Sequence, residues 1–148
     1  MRALHIGLRV TDLRRSLAFY RAVGYQVIGE VPHTDIGHLV MLQLPGDSFV
    51  TLELVHHPDY APGDGDSPLS HLVIQVDHME RTCRRLAEGG IDVDEPTSPD
   101  GSFDFLTTML ADPDGNRIEL VQWPPGHADG MSAADFPDEP ATATDGAD

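Results

Sequence analysis

At 148 residues the chain has room for one domain with a real core and is too short for several. Its formal charge of −16, 25 acidic side chains against nine basic ones that are all Arg, excludes the basic footprint that nucleic acid or an anionic membrane surface requires. A single cysteine, Cys83, excludes a disulfide framework and a C-x-x-C metal or redox site. No run of 18 apolar residues is present, and Met1 leads straight into a strand pattern rather than a leader, so a soluble cytoplasmic protein is expected.

Residues 4–10 alternate as a half-buried strand, with His5, Gly7 and Arg9 on one face and Leu4, Ile6, Leu8 and Val10 on the other. Asp12 then offers an N-cap, and Leu13, Leu17, Tyr20 and Val23 form the apolar stripe of a helix that stops at Gly24. A strand is predicted over 25–31, closed by Pro32, followed by an irregular polar loop over 31–37. Strand signals resume at 38–44 and 49–55, joined as a hairpin by Pro45-Gly46-Asp47-Ser48. Glu53 lies in the second of these strands, facing with Thr51 and Val55. A carboxylate among Leu52, Leu54 and Val55 requires a partner, because an unpaired buried charge is costly.

Residues 59–68, rich in Pro, Gly and Asp, read as a linker. After it come a strand over 69–76, a helix over 77–88 with Met79, Cys83 and Leu86 as its stripe, and a short strand over 91–93. An irregular stretch over 95–104 leads to a hairpin, 105–111 and 116–122, turned by Asp112-Pro113-Asp114-Gly115. Residues 124–148 carry six acidic side chains and no Arg, and read as a disordered tail.

The order strand, helix, strand, strand, strand thus occurs twice, and the two copies are related in sequence. An offset that carries His5 onto His71 (71 − 5 = 66) also carries Val10 onto Val76, Gly24 onto Gly90, Glu53 onto Glu119, Leu54 onto Leu120 and Pro58 onto Pro124. The expected class is α+β: two tandem βαβββ modules, residues 1–58 and 69–123, forming a curved mixed sheet with helices on one side. In each copy His and Glu are 48 residues apart (53 − 5 and 119 − 71), so His5, Glu53, His71 and Glu119 make a candidate metal site of two nitrogen and two oxygen ligands. Neutral imidazole and carboxylate suit Zn²⁺, Ni²⁺, Co²⁺, Mn²⁺ or Fe²⁺, and two carboxylates cancel the charge of the ion.

Several stretches resemble the vicinal oxygen chelate superfamily, and within it bacterial glyoxalase I. They are Met1-Arg2-Ala3-Leu4-His5 with Leu8-Arg9-Val10, then Ser16-Leu17-Ala18-Phe19-Tyr20, Leu52-Glu53-Leu54, Ser70-His71-Leu72 and Asp112-Pro113-Asp114-Gly115-Asn116-Arg117-Ile118-Glu119-Leu120. The resemblance runs from residue 1 to about residue 123 and leaves only the tail uncovered. It implies paired modules, a homodimer in which module one of one subunit meets module two of the other, and one Ni²⁺ or Zn²⁺ per site, with Co²⁺ or Mn²⁺ as alternatives, held by His5, Glu53, His71 and Glu119. It further implies isomerisation of the hemithioacetal of methylglyoxal and a thiol to a 2-hydroxyacyl thioester, with Glu119 as first choice for the base and Glu53 as second, and with Arg9 and His57 as substrate contacts. His57 stands where the family commonly has Asn, and the loop over 98–102 has no Lys, so the thiol stays open.

Two alternatives are weighed beside this. One is another metal-dependent enzyme of the superfamily: an epimerase, a thiol transferase or an extradiol dioxygenase, the last disfavoured by four protein ligands. The other is a metal-free protein that sequesters a cationic drug, which the negative charge suits and the four-ligand set does not.

Overall fold

The computed structural model describes residues 4–60, 69 and 71–130. Most of the expected linker, 61–68, and the expected tail from 131 onward lie outside the described residues.

In the first module β1 (Ile6–Arg9) is followed by α1 (Leu13–Val23), β2 (Gln26–Thr34), β3 (Gly37–Gln43) and β4 (Leu52–His56). The helix begins where Asp12, itself extended, accepts a hydrogen bond from the Arg15 N–H at 2.9 Å, and ends at Gly24, whose φ of 134° excludes further helix. The strands lie in the order β1-β4-β3-β2, with β1 parallel to β4 and the other pairs antiparallel. Strand β2 runs through Pro32, where the sequence predicts a stop, and turns tightly at Asp35-Ile36 into β3. As the outermost strand it tolerates a residue with no N–H, and the register slips between Val31 and Thr34 to accommodate it.

The second module repeats the plan with β5 (Leu72–Gln75), α2 (Met79–Glu88), β6 (Leu106–Ala111) and β7 (Arg117–Gln122), in the order β5-β7-β6. Again the first strand is parallel to the last. The strand expected over 91–93 is reduced to two isolated bridges, Val93 with Leu110 and Thr97 with Thr107, with a register slip between them. Pro96 interrupts the ladder there, having no donor to give. Among the described residues the strands form two separate sheets, of four and three strands, rather than one continuous sheet.

The helices and the inner sheet faces enclose one core, in which Tyr20, Leu42, Leu52, Leu54, Met79, Leu86, Ile118 and Leu120 are fully buried. Each such side chain contributes roughly 1.5–3 kcal/mol by leaving water. Two polar junctions join the modules. Tyr20 Oη donates to Asp112 Oδ2 at 2.7 Å in the interior, and Asp112 also accepts from the N–H of Asp114 and Asn116 and from Asn116 Nδ2, so the carboxylate is fully satisfied. Thr11 and Ser16 hydroxyls donate to Asp114 beside it. On α2, Arg85 donates to the carbonyls of Ala22 and Val23 at 3.0 and 3.1 Å, capping the end of α1. Burial pushes the Tyr20 phenol well above its ordinary value, reinforced by Asp112. Tyr25, also buried and near Asp47, is pushed up to about 12.

Residues 124–130 fold back on the second module. Gln75 Nε2 donates to Asp129 at 2.8 Å, and the Gly130 N–H donates to Gln75 Oε1 at 3.1 Å. No helix among the described residues is long and apolar enough to cross a membrane.

Candidate metal and substrate site

The parallel pairing of first and last strand sets the chemistry of each module. Gly7 lies opposite Glu53, so the imidazole just ahead of β1 and the carboxylate of β4 share a face: His5 Nε2 stands 3.6 Å from Glu53 Oε2. In the second module Val73 lies opposite Glu119, and His71 Nε2 stands 3.4 Å from Glu119 Oε2. The two pairs differ in exposure. The Glu53 side chain is 12% exposed and that of Glu119 27%, while the imidazoles are similar at 37% and 40%.

Nitrogen and oxygen ligands about 2.0–2.2 Å from one ion lie roughly 3.0–3.5 Å from each other, so each pair has the spacing of two adjacent ligands on a shared metal. Two imidazoles and two carboxylates form a donor set that fits a divalent ion. Each pair supplies only half of it. Among the described residues no third His, Cys, Asp or Glu stands with either pair, so the four predicted residues meet two by two and not all together within one chain.

Both half-sites lie beside the outermost strands of their sheets, β1 and β5, which carry exposed apolar side chains: Leu4 just ahead of β1, Ile6 on it and Val73 on β5. Further along the Glu53 face, Arg9 lies opposite Val55, its guanidinium 5.7 Å from the centre of the Tyr60 ring. Arg9, Asp35, Ile36, Val55, His57, Asp59 and Tyr60 line a cleft of about 430 Å³. His57 Nδ1 accepts from the Asp59 N–H at 3.2 Å, which leaves Nε2 as the other ring nitrogen. Arg9 and His57, predicted as substrate contacts, therefore share one cleft.

The second half-site is different in kind. Gln75 replaces Arg9, and Trp123, at the repeat position of His57, stacks between Phe105 and His127 with centroids 5.2 and 4.5 Å apart. Tyr60 and the Trp123 stack escaped the sequence reading. Tyr60 sits in what reads as linker and its repeat partner is Gly126, so neither periodicity nor the repeat points to it.

The family model described as Glyoxalase/Bleomycin resistance protein/Dioxygenase superfamily matches residues 2–120. The chain is 30% identical over 125 residues to a lactoylglutathione lyase of Salmonella typhimurium, covering 82% of this chain and 93% of that one. It is 32% identical over 131 residues to a probable lactoylglutathione lyase of Vibrio cholerae, covering 86% and 94%. Among solved structures it is similar to the trypanothione-dependent glyoxalase I of Leishmania major, with 27% identity, a TM-score of 0.66 and coverage of 82% and 86%. An antibiotic-binding protein from a Streptomyces species is similar too, with 26% identity, a TM-score of 0.64 and coverage of 84% and 97%. Half-sites of one His and one Glu on twin βα modules and a family match over residues 2–120 agree: the chain belongs to the Glyoxalase/Bleomycin resistance protein/Dioxygenase superfamily.

Proposed function

We propose that this protein is a metal-dependent glyoxalase I-type enzyme, converting the hemithioacetal of a 2-oxoaldehyde and a thiol to a 2-hydroxyacyl thioester in the cytoplasm. The observation that carries the reading is the pair of matched half-sites, His5–Glu53 and His71–Glu119, at equivalent register and with N···O spacings of 3.6 and 3.4 Å. Its modules are residues 1–58 and 69–123, joined by 59–68 and followed by an acidic tail from 124 whose first residues, 124–130, lie against the second module. Relatives named lactoylglutathione lyase support it.

Two half-sites that do not meet in one chain complete each other in a homodimer, module one of one protomer against module two of the other. Outermost strands with exposed apolar residues support this, because such edges are otherwise open to uncontrolled pairing. Each site then holds one divalent ion, Ni²⁺ or Zn²⁺ with Co²⁺ or Mn²⁺ as alternatives, through two His and two Glu. When bound, that ion supplies Lewis-acid polarisation of two vicinal oxygens of the substrate.

The chain's own carboxylates do the proton work. Glu119 takes the proton from the sulfur-bearing carbon and returns it to the neighbouring carbon while the hydroxyl proton passes to the neighbouring oxygen, so atoms and electrons balance with no redox partner. Its greater exposure than Glu53 supports this assignment, since a base has to reach its proton, and Glu53 is the second choice. Arg9 and His57 hold the thiol end in their cleft.

The test loads the purified protein with Ni²⁺, Zn²⁺, Co²⁺ or Mn²⁺ and follows thioester formation from methylglyoxal with a panel of thiols. Activity with at least one pair is expected, and Glu119→Gln should lower kcat/KM by about 10²-fold or more while metal content stays stoichiometric. No thioester from any combination would overturn the reading. A second reading, metal-free sequestration of a cationic drug, draws support from the antibiotic-binding Streptomyces relative and the charge of −16; a purified protein with no stoichiometric metal would favour it.

A further inference from the structure

Glu30, His38 and His56 stand on three neighbouring strands, β2, β3 and β4. In the ladder Glu30 lies opposite Val40, two residues along β3 from His38, and His38 lies opposite His56. Side chains alternate along a strand, and Met41 is the residue opposite Glu53, so all three belong to the face turned away from Glu53. They are therefore separate from both half-sites, at the rim of the face whose Val40 and Leu54 are buried in the core. His38 Nε2 is 3.0 Å from Glu30 Oε2, the spacing of two adjacent ligands on one ion. Directly opposed residues of an antiparallel pair have Cβ atoms roughly 4.5–5.5 Å apart, which brings the His56 imidazole to the same place by a turn about its own side-chain bonds. Among the described residues no third His, Cys, Asp or Glu stands with the Glu30–His38 pair, so that turn is what closes the set.

Imidazole is concentrated here. His33, His38, His56 and His57 line one open cleft of about 420 Å³ with Asp35, and they are four of the eight histidines of the chain. The fold does not require them: at the equivalent ladder position of module two, three residues past the Glu of the last strand, Gln122 lies opposite Leu106. The same ladder thus forms with neither imidazole. An exposed Glu–His ion pair contributes little to stability, and it gives no reason for a second imidazole across the ladder. Two imidazoles and one carboxylate are, by contrast, three ligands of the kind that hold a tetrahedral borderline ion with water in the fourth position. The charge of −16 favours a cation at such a place.

We propose that Glu30, His38 and His56 form a second divalent-metal site, suited to Zn²⁺, on the face of the first sheet turned away from the half-sites. An ion held there joins the outermost strand, β2, to β3 and β4 beside the turn at Asp35-Ile36. Because its ligands come from three strands, binding adds to the stability of the folded sheet. All three ligands belong to one chain, so the site needs neither the isomerase activity nor a dimer.

The test uses the full-length protein without an affinity tag, brought to equilibrium by dialysis against micromolar Zn²⁺ and analysed for metal. His38→Leu and His56→Gln install the residues that the second module carries at this ladder position, a pair its strands already accommodate. Wild type should hold about one Zn²⁺ per chain more than either variant. Glu30→Gln should weaken that ion by about tenfold or more, whereas His33→Ala, which removes an imidazole of the cleft outside the set, should keep it. In wild type the ring resonances of His38 and His56 should shift together on addition of Zn²⁺, a readout that needs no variant. Equal metal in wild type and both His variants, unchanged affinity in Glu30→Gln, loss of the ion in His33→Ala, or unmoved His38 and His56 resonances would each overturn the inference. An additional ion in a protein that forms no thioester leaves the site standing and removes the isomerase reading; thioester formation with equal metal in all chains does the reverse.

Discussion

Single residues set both the reach and the rigidity of the candidate site. Gly37 is the clearest case of backbone necessity: its φ is 124°, and a Cβ there would clash with the His56 carbonyl oxygen. Gly37→Ala should lower stability by about 2 kcal/mol or more, combining the strain of that conformation with a backbone clash, as read by urea denaturation. Because the clash is with the carbonyl just before His57, the same variant should weaken substrate binding at the Arg9 cleft more than a stability loss alone would. Gly7 is the opposite case, with neither strain nor crowding to account for it. The two glycines look alike in the sequence, and only the coordinates separate a conformational requirement from a position where a Cβ would fit.

At the scale of elements, both helices were legible because their caps and stripes are local. Asp12 and Gly24 bound α1 within a residue of expectation, and Gly89 ends α2. Strands were less so. Pro32 reads as a stop, but an outermost strand absorbs it; residues 91–93 read as a strand, but Pro96 leaves only two bridges. The docking of α1 on the turn at residues 112–116 was invisible, since Tyr20 and Asp112 are 92 residues apart. Tyr20→Phe removes one of four donors to a buried carboxylate and should cost about 1–2 kcal/mol, seen as a lowered Tm with secondary structure unchanged. The pH dependence has a defined sign. Both buried phenols have raised pKa values, so the stabilisation is intact below the unfolded value of about 10 and is lost as pH rises through it, toward about 12 for Tyr25. Denaturation midpoints should therefore fall above pH 10, and fall less steeply in Tyr20→Phe.

At the scale of the whole molecule, the decisive point is that four candidate ligands divide into two pairs. If the sites form between protomers, Glu53→Gln and Glu119→Gln chains, each inactive alone, should complement each other when unfolded together and refolded. A mixed dimer has one site with both substitutions and one with neither, so re-formed mixtures should recover about a quarter of wild-type activity. Recovery of none would mean that each chain builds its own site. The charge of −16 belongs to this scale too, as a property that keeps polyanions away rather than one that selects a fold.

The duplication, the α+β class and the candidate His and Glu positions were legible in the sequence alone, because a repeat and its strand and helix periods are local patterns that survive without coordinates. Which His meets which Glu was decided only by tertiary structure, through the parallel pairing of strands some 46 residues apart (53 − 7 and 119 − 73). The same holds for the cleft that joins Arg9, His57 and Tyr60. Such contacts arise when distant chain segments are brought to one face of a sheet; the equal 48-residue spacing marks the four residues as candidates but does not say which of them meet.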